Sequence, residues 1–284
     1  MQTQSDLTYH YDGSFEGLLC CVFESYEKKE IPTYITNPST AHQQLFQGKT
    51  ILTDAAKSAR VLSSIPKKLG PSALYFLQLA FLTSLTQKEV AMVHFLRLGF
   101  HHGPTVMDML TNETVNKLHK AVRHLKRESH HFKGFLRFSI VNNALVAEME
   151  PKNFVLPLLA SHFSDRYREE QFFIHDKTHG VGLVYKPYQW AVVPVDSFEM
   201  PPVDEEEKKY RELWQLFYNT IAIKGRLNPK ARMSHMPMRY WKYMTEFSSH
   251  GRANYSREIV KSQKEGTGID EPQPAKSLSA PALF

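Results

Sequence analysis

Apolar residues recur along this chain with two periods, and the change from one to the other divides it. After an alternating stretch at residues 8–11 and an Asp12-Gly13 turn, Phe15, Leu18, Leu19, Val22, Phe23 and Tyr26 follow at helical spacing, with Ser14 placed as their cap. A second helix is expected from Asp54 until Pro66 ends it. Residues 71–82 are apolar nearly all round, which predicts a helix buried at the centre of a bundle. Thr86-Gln87-Lys88-Glu89 reads as a capping box, with Gly99 ending the helix it opens. Asn112 then caps a helix whose apolar stripe is Val115, Leu118, Val122 and Leu125.

From residue 134 the period becomes two. Residues 134–141 and 144–149 predict a hairpin about Asn142-Asn143, a pair that tolerates the positive φ of a tight turn. Pro151 and Asn153 open a helix carrying Leu156, Leu159, Phe163 and Tyr167. Three more strands are expected at 171–176, 182–185 and 189–194. The fold class is therefore α+β: a mainly antiparallel sheet of about five strands over residues 134–194, packed with helices from both flanking segments. Beyond it, Asp204-Glu205-Glu206-Glu207 begins a helix with acids in its first turn. A loop and a last helix near Pro237 follow. One domain over residues 1–248 is expected, and the Gly-, Ser-, Pro- and Lys-rich residues 249–284 read as a disordered tail.

Composition changes this picture little, but charge changes it considerably. The 284 residues are 42% hydrophobic, enough for a full core. Two adjacent cysteines, Cys20 and Cys21, read as buried thiols. The polar N-terminus shows no signal peptide and no apolar run is long enough to span a bilayer, so a cytoplasmic protein is expected, with no membrane partner. The formal net charge is +6, yet residues 117–137 alone carry seven Lys/Arg and one acid, and residues 224–242 carry six Lys/Arg and none. The basicity is local, and local basicity points to an anionic partner. The candidates for phosphate contact are Arg123, Lys126, Arg127, Lys133 and Arg137 in the first segment and Arg226, Lys230, Arg232 and Arg239 in the second, with Tyr240 and Trp241 considered as base stackers and core packing the favoured reading for Trp241.

Catalytic chemistry is less marked. No His-Glu-x-x-His, Gly-x-Ser-x-Gly, Walker or Gly-x-Gly-x-x-Gly motif occurs, so neither a metal nor a cofactor is expected. His162, Arg166 and Asp176, with Asp165 and His175, could meet where a helix joins the sheet. They are weak candidates for an acid/base cluster, set against a purely structural polar network.

Four separated stretches carry a likeness: residues 11–17 (Tyr-Asp-Gly-Ser-Phe-Glu-Gly), 131–138 (His-Phe-Lys-Gly-Phe-Leu-Arg-Phe), 156–166 (Leu-Pro-Leu-Leu-Ala-Ser-His-Phe-Ser-Asp-Arg), and 213–241 with its Lys-Gly-Arg-Leu-Asn-Pro and Met-Pro-Met-Arg-Tyr-Trp. Together they resemble a bacterial family of DNA metabolism and repair proteins of unknown biochemistry. Its members are encoded beside a radical-SAM protein of DNA modification or repair, and some are fused to a uracil-DNA-glycosylase-like domain. Phe172-Phe173 stands here where that family has a tryptophan. The resemblance implies a DNA-binding accessory protein of a repair or modification system, partnered by a radical-SAM protein. Two alternatives stand beside it: a DNA-processing enzyme, nuclease or base-acting, using the His162/Arg166/Asp176 region, and a protein-interaction scaffold. The terminal Leu283-Phe284 is also similar to short motifs that dock on sliding clamps.

Overall fold

The computed structural model describes residues 7–38, 48–202, 204–221, 223 and 228–247. The chain divides after Pro201 into two compact units.

The first unit opens with β1 (Thr8–His10), which pairs in parallel with β2 (Tyr34–Thr36) on one side and β3 (Lys49–Thr50) on the other. Between β1 and β2 runs α1 (Phe15–Glu27), whose N-cap Ser14 accepts from the Gly17 amide at 2.9 Å. Cys20 and Cys21 are buried and unpaired in α1. Burial, with Cys20 beside it, pushes the Cys21 thiol up to about 12, which leaves it inert at neutral pH.

Three helices follow: α2 (Ala55–Leu69), α3 (Pro71–Phe81) and α4 (Lys88–His102). Their ends correct the reading of the sequence in three places. Pro66 lies inside α2, and the helix ends at Gly70, whose φ of 93° suits a residue without a side chain. Gly99 does not end α4, which runs on to His102. A Cβ at Gly99 would stand 2.3 Å from Leu69 Cδ2, so this glycine permits α2 and α4 to approach closely. Glu89 does not complete a capping box. It is buried and accepts a hydrogen bond from the Tyr11 hydroxyl at 3.2 Å.

A 3-10 turn (Gly103–Asp108) leads to α5 (Glu113–Phe135), the longest helix described. Asn112 caps it as expected, accepting from the amides of Thr114 and Val115. α5 extends into the segment read as the first strand, because its apolar spacing continues through Phe132. The sheet therefore begins at β4 (Ser139–Val141) and continues with β5 (Ala144–Met149), β6 (Phe172–Asp176), β7 (Val181–Lys186) and β8 (Gln189–Pro194), in spatial order β4-β5-β6-β7-β8. Asn142 and Asn143 both take positive φ in the β4–β5 turn. Three of the four pairings are antiparallel. β5 and β6 run parallel, joined by a crossover through α6 (Leu156–Arg166). Phe163 of α6 packs with Phe172 and Phe138 in the core between this helix and the sheet.

In the second unit, α7 (Glu205–Thr220) is capped by Asp204, which accepts from the Glu207 amide at 2.8 Å. A short helix α8 (Pro229–His235) and two 3-10 turns (Met238–Tyr243, Thr245–Phe247) follow. Trp241 is buried there, stacked on Phe247 with its indole N–H donating to the Met236 carbonyl at 2.9 Å. Among the described residues no helix is long and apolar enough to cross a membrane.

Candidate functional site

The apolar stripe of α5 fixes which way its cations face. Val115, Leu118, Val122, Leu125 and Phe132 are buried, so the remaining arc must lie outward. On that arc Lys117, Lys120, Arg123, His124, Lys126 and Arg127 are all exposed. Lys120, Arg123, His124 and Arg127 stand at i, i+3, i+4 and i+7, one face of a helix, and line a hollow of about 240 Å³. Among the described residues no carboxylate forms an ion pair with any cation of this face.

The acid that could neutralise it is turned away. Glu128 is the single Asp or Glu in residues 117–137, and it is only 3% exposed. Its carboxylate accepts from the backbone amides of Lys152 at 2.9 Å and Asn153 at 2.8 Å, and from the Asn153 side-chain amide. Asn153 in turn accepts from the Ser84 amide at 2.9 Å, and the next amide, Phe154, donates to the Leu82 carbonyl. Pro151 and Asn153 therefore do not open α6, which begins at Leu156. With Glu128, Asn153 ties α5 to the loop after β5 and to the turn after α3. One side of α5 holds the core together while the other keeps its positive charge.

The other candidates of the first segment are placed differently. Lys133 is half-buried near the end of α5. Arg137 donates through Nη1 to the carbonyls of Gly134 at 2.9 Å and Leu136 at 3.2 Å, closing the helix terminus where the dipole favours a cation. The residue that sequence reasoning missed is Tyr75. The helix it sits on was read as buried all round, but Tyr75 is 58% exposed and its ring centroid lies 5.8 Å from the Lys126 ammonium. An exposed aromatic beside a cationic face is the pairing that grips phosphate and stacks a base.

In the second unit, Lys230 on α8 and Arg239 are exposed, and Arg232 is half-buried on α8. The Arg239 guanidinium lies 4.5 Å from the Tyr240 ring centroid and bonds its hydroxyl. Tyr240 and Trp241 are both buried and serve as core, not as base stackers. Arg226 lies outside the described residues, as do Leu283 and Phe284.

Asp176 is fully buried at the end of β6. It accepts from the amides of Thr178 and His179 at 3.0 and 3.2 Å, and it meets His179 Nδ1 at 2.6 Å, a locked turn with an imidazole against a buried carboxylate. His162 and Arg166 sit instead on α6. Burial holds the His162 imidazole below its ordinary range, with the Lys133 and Arg166 cations adding to the effect. His119, packed on Phe76, and His94 are also lowered, in each case first by burial. Among the described residues no group of three His, Cys, Asp or Glu is placed to hold a metal.

These three lowered histidines predict a pH dependence. A base whose folded pKa is depressed binds fewer protons folded than unfolded, so it contributes stability above the unfolded value near 6.5 and loses it as pH falls toward the folded one. Tm should decline as pH falls from neutral through about 6.5 and below, and His119→Gln should flatten part of that decline. A wild-type Tm that stays level across this range contradicts the assignment.

Fold and site together define an α+β protein whose longest described helix presents an uncompensated cationic face. Residues 86–246, more than half of the chain, match the domain of unknown function DUF4130, and the chain belongs to that family. No curated protein and no solved structure matches it. The matched span contains α5, the whole five-stranded sheet and the Asp176 turn.

Proposed function

We propose that this protein binds nucleic acid through the outward face of α5, as the DNA-binding component of a repair or modification system. The observation that carries the reading is the hollow ringed by Lys120, Arg123, His124 and Arg127, left unneutralised because Glu128 is committed to the core. A phosphate oxygen seated there gains charge-assisted hydrogen bonds from several donors at once. Tyr75, beside Lys126, offers a surface for an unstacked base. The second unit, taken by itself, exposes Lys230 and Arg239, which remain candidates for phosphate contact. The DNA-metabolism resemblance supports DNA as the polyanion and a radical-SAM protein as the partner that would hold the redox chemistry. The chain's own two cysteines are too few to ligate an iron–sulfur cluster.

Anisotropy titrations of duplex and single-stranded DNA against the full chain, repeated across salt, test this. Neutralising about four phosphates gives a log–log slope near −3.5 for duplex and near −3 for single strands. Binding that ignores salt removes phosphate contact as its basis and favours a protein-interaction scaffold.

A second reading rests on the Asp176–His179 pair, in which a buried carboxylate orients an imidazole as it would in a general base. Turnover of mismatched or damaged DNA that is present in the native chain and lost in Asp176→Asn would make the protein a DNA-processing enzyme. Binding without turnover leaves it an accessory protein.

A further inference from the structure

Away from α5, helices α1, α2 and α4 enclose an open hollow of about 660 Å³, within the usual size of a small-molecule site. Its floor is apolar, from the buried Val22 and Val61. Its walls are the rings of Phe23, Tyr26 and Phe100, and each ring carries a cation. The Arg60 guanidinium lies 5.8 Å from the Phe23 centroid, the Lys68 ammonium 5.3 Å from Phe100, and the Arg97 guanidinium 4.6 Å from Tyr26. Tyr26 and Phe100 meet edge to face at 5.8 Å, which fixes both rings. Arg97 is anchored through Nη1 alone, to the Ser25 carbonyl at 3.5 Å and its hydroxyl at 3.3 Å. Against Arg60, Lys68 and Arg97 the lining holds one carboxylate, Glu27, and Lys57 approaches it from outside at 3.9 Å.

We infer that this hollow is a nucleotide site, taking the planar base of a nucleoside phosphate against Phe23, Tyr26 and Phe100 and its phosphate on Arg60, Lys68 and Arg97. Neither half of the lining alone selects such a ligand. A flat apolar surface would accept any hydrophobe, and a cluster of cations would accept any anion. Their alternation at the spacing of a ring and its substituent fits a molecule with both characters. Stacking on an aromatic side chain is worth about 1–3 kcal/mol per base, and a guanidinium engages phosphate through two parallel N–H donors. The site does not rest on the α5 reading, since its lining comes from α1, α2 and α4 and includes no residue of α5.

The full chain is titrated calorimetrically with AMP, GMP, CMP and UMP, with the corresponding nucleosides, and with ribose 5-phosphate. At least one nucleotide should saturate with Kd below about 1 mM, and its nucleoside and the phosphosugar should each bind about tenfold more weakly or worse. The double variant Arg60→Gln/Arg97→Gln should lose about tenfold or more in affinity for that nucleotide. Arg60 is exposed and Arg97 partly so, so the variant should fold, and circular dichroism is the check on that. Three results would each overturn the assignment: no saturation by any nucleotide up to about 10 mM, ribose 5-phosphate binding as tightly as the nucleotide, or a folded double variant of undiminished affinity.

Discussion

Reversing Arg123, Lys126 and Arg127 to glutamate should abolish retention of DNA while leaving Tm within a few degrees of the native value. All three are exposed and belong to no ion pair among the described residues, so changing them breaks no native contact of consequence beyond the distant approach of Lys126 to Tyr75. Surface substitutions of this kind usually stay within about 0.5 kcal/mol each. The effect on binding is larger, because each site exchanges attraction for repulsion at a polyanion. A loss of at least about 100-fold at low salt is expected, with the salt slope shallower by about 3 as three phosphate contacts disappear. The neutral variant Arg123→Gln/Lys126→Gln/Arg127→Gln should fall between the two. Unchanged affinity in the glutamate variant, with the fold intact, removes α5 from the interface.

The opposite separation is expected at Glu128. Glu128→Ala leaves the amides of Lys152 and Asn153 and the Asn153 side-chain amide without their acceptor in a buried place. Unsatisfied buried donors cost roughly 1–3 kcal/mol each, and relaxation of the loop recovers part of this, so a loss of about 3 kcal/mol is expected. For a unit of this size that is a fall in Tm of roughly 6–12 °C. Glu128→Gln keeps one acceptor oxygen and should lose about half as much. DNA affinity at a temperature where both variants are folded should be unchanged, since the carboxylate faces inward. A loss under about 1 kcal/mol for Glu128→Ala would mean that the network is incidental.

The two variants also show what the sequence could and could not convey. Periodicity and caps were legible: Ser14 and Asn112 cap the helices they were expected to cap, acids open α7 as expected, and Asn142-Asn143 makes the turn. These are local devices, decided within four residues. What escaped were decisions made by distant partners. Pro66 is tolerated within α2, and Gly99 is spent on contact with Leu69, a residue thirty positions earlier. Asn153 looked like part of a helix start and serves instead as a bridge between Glu128 and Ser84. The cationic segment was visible as composition, but its lack of compensation depends on Glu128 being inside, and periodicity had not assigned Glu128 to the buried face. Tyr75 was hidden for the reverse reason, an aromatic in an apolar run that the packing leaves uncovered. The pairing of Asp176 with His179, rather than with His162 or Arg166, follows from the β6–β7 turn closing on itself.

The length of α5 carries a geometric corollary. At 1.5 Å per residue, its 23 residues make a rod of about 34 Å. Duplex DNA advances about 3.4 Å per base pair, so a rod of this length can lie beside at most about ten of them. Lys120 and Arg127, seven residues apart, are separated by only about 10 Å along that rod, the reach of a few neighbouring phosphates. The protected footprint should therefore be short and independent of base sequence, set by a ruler built into the backbone.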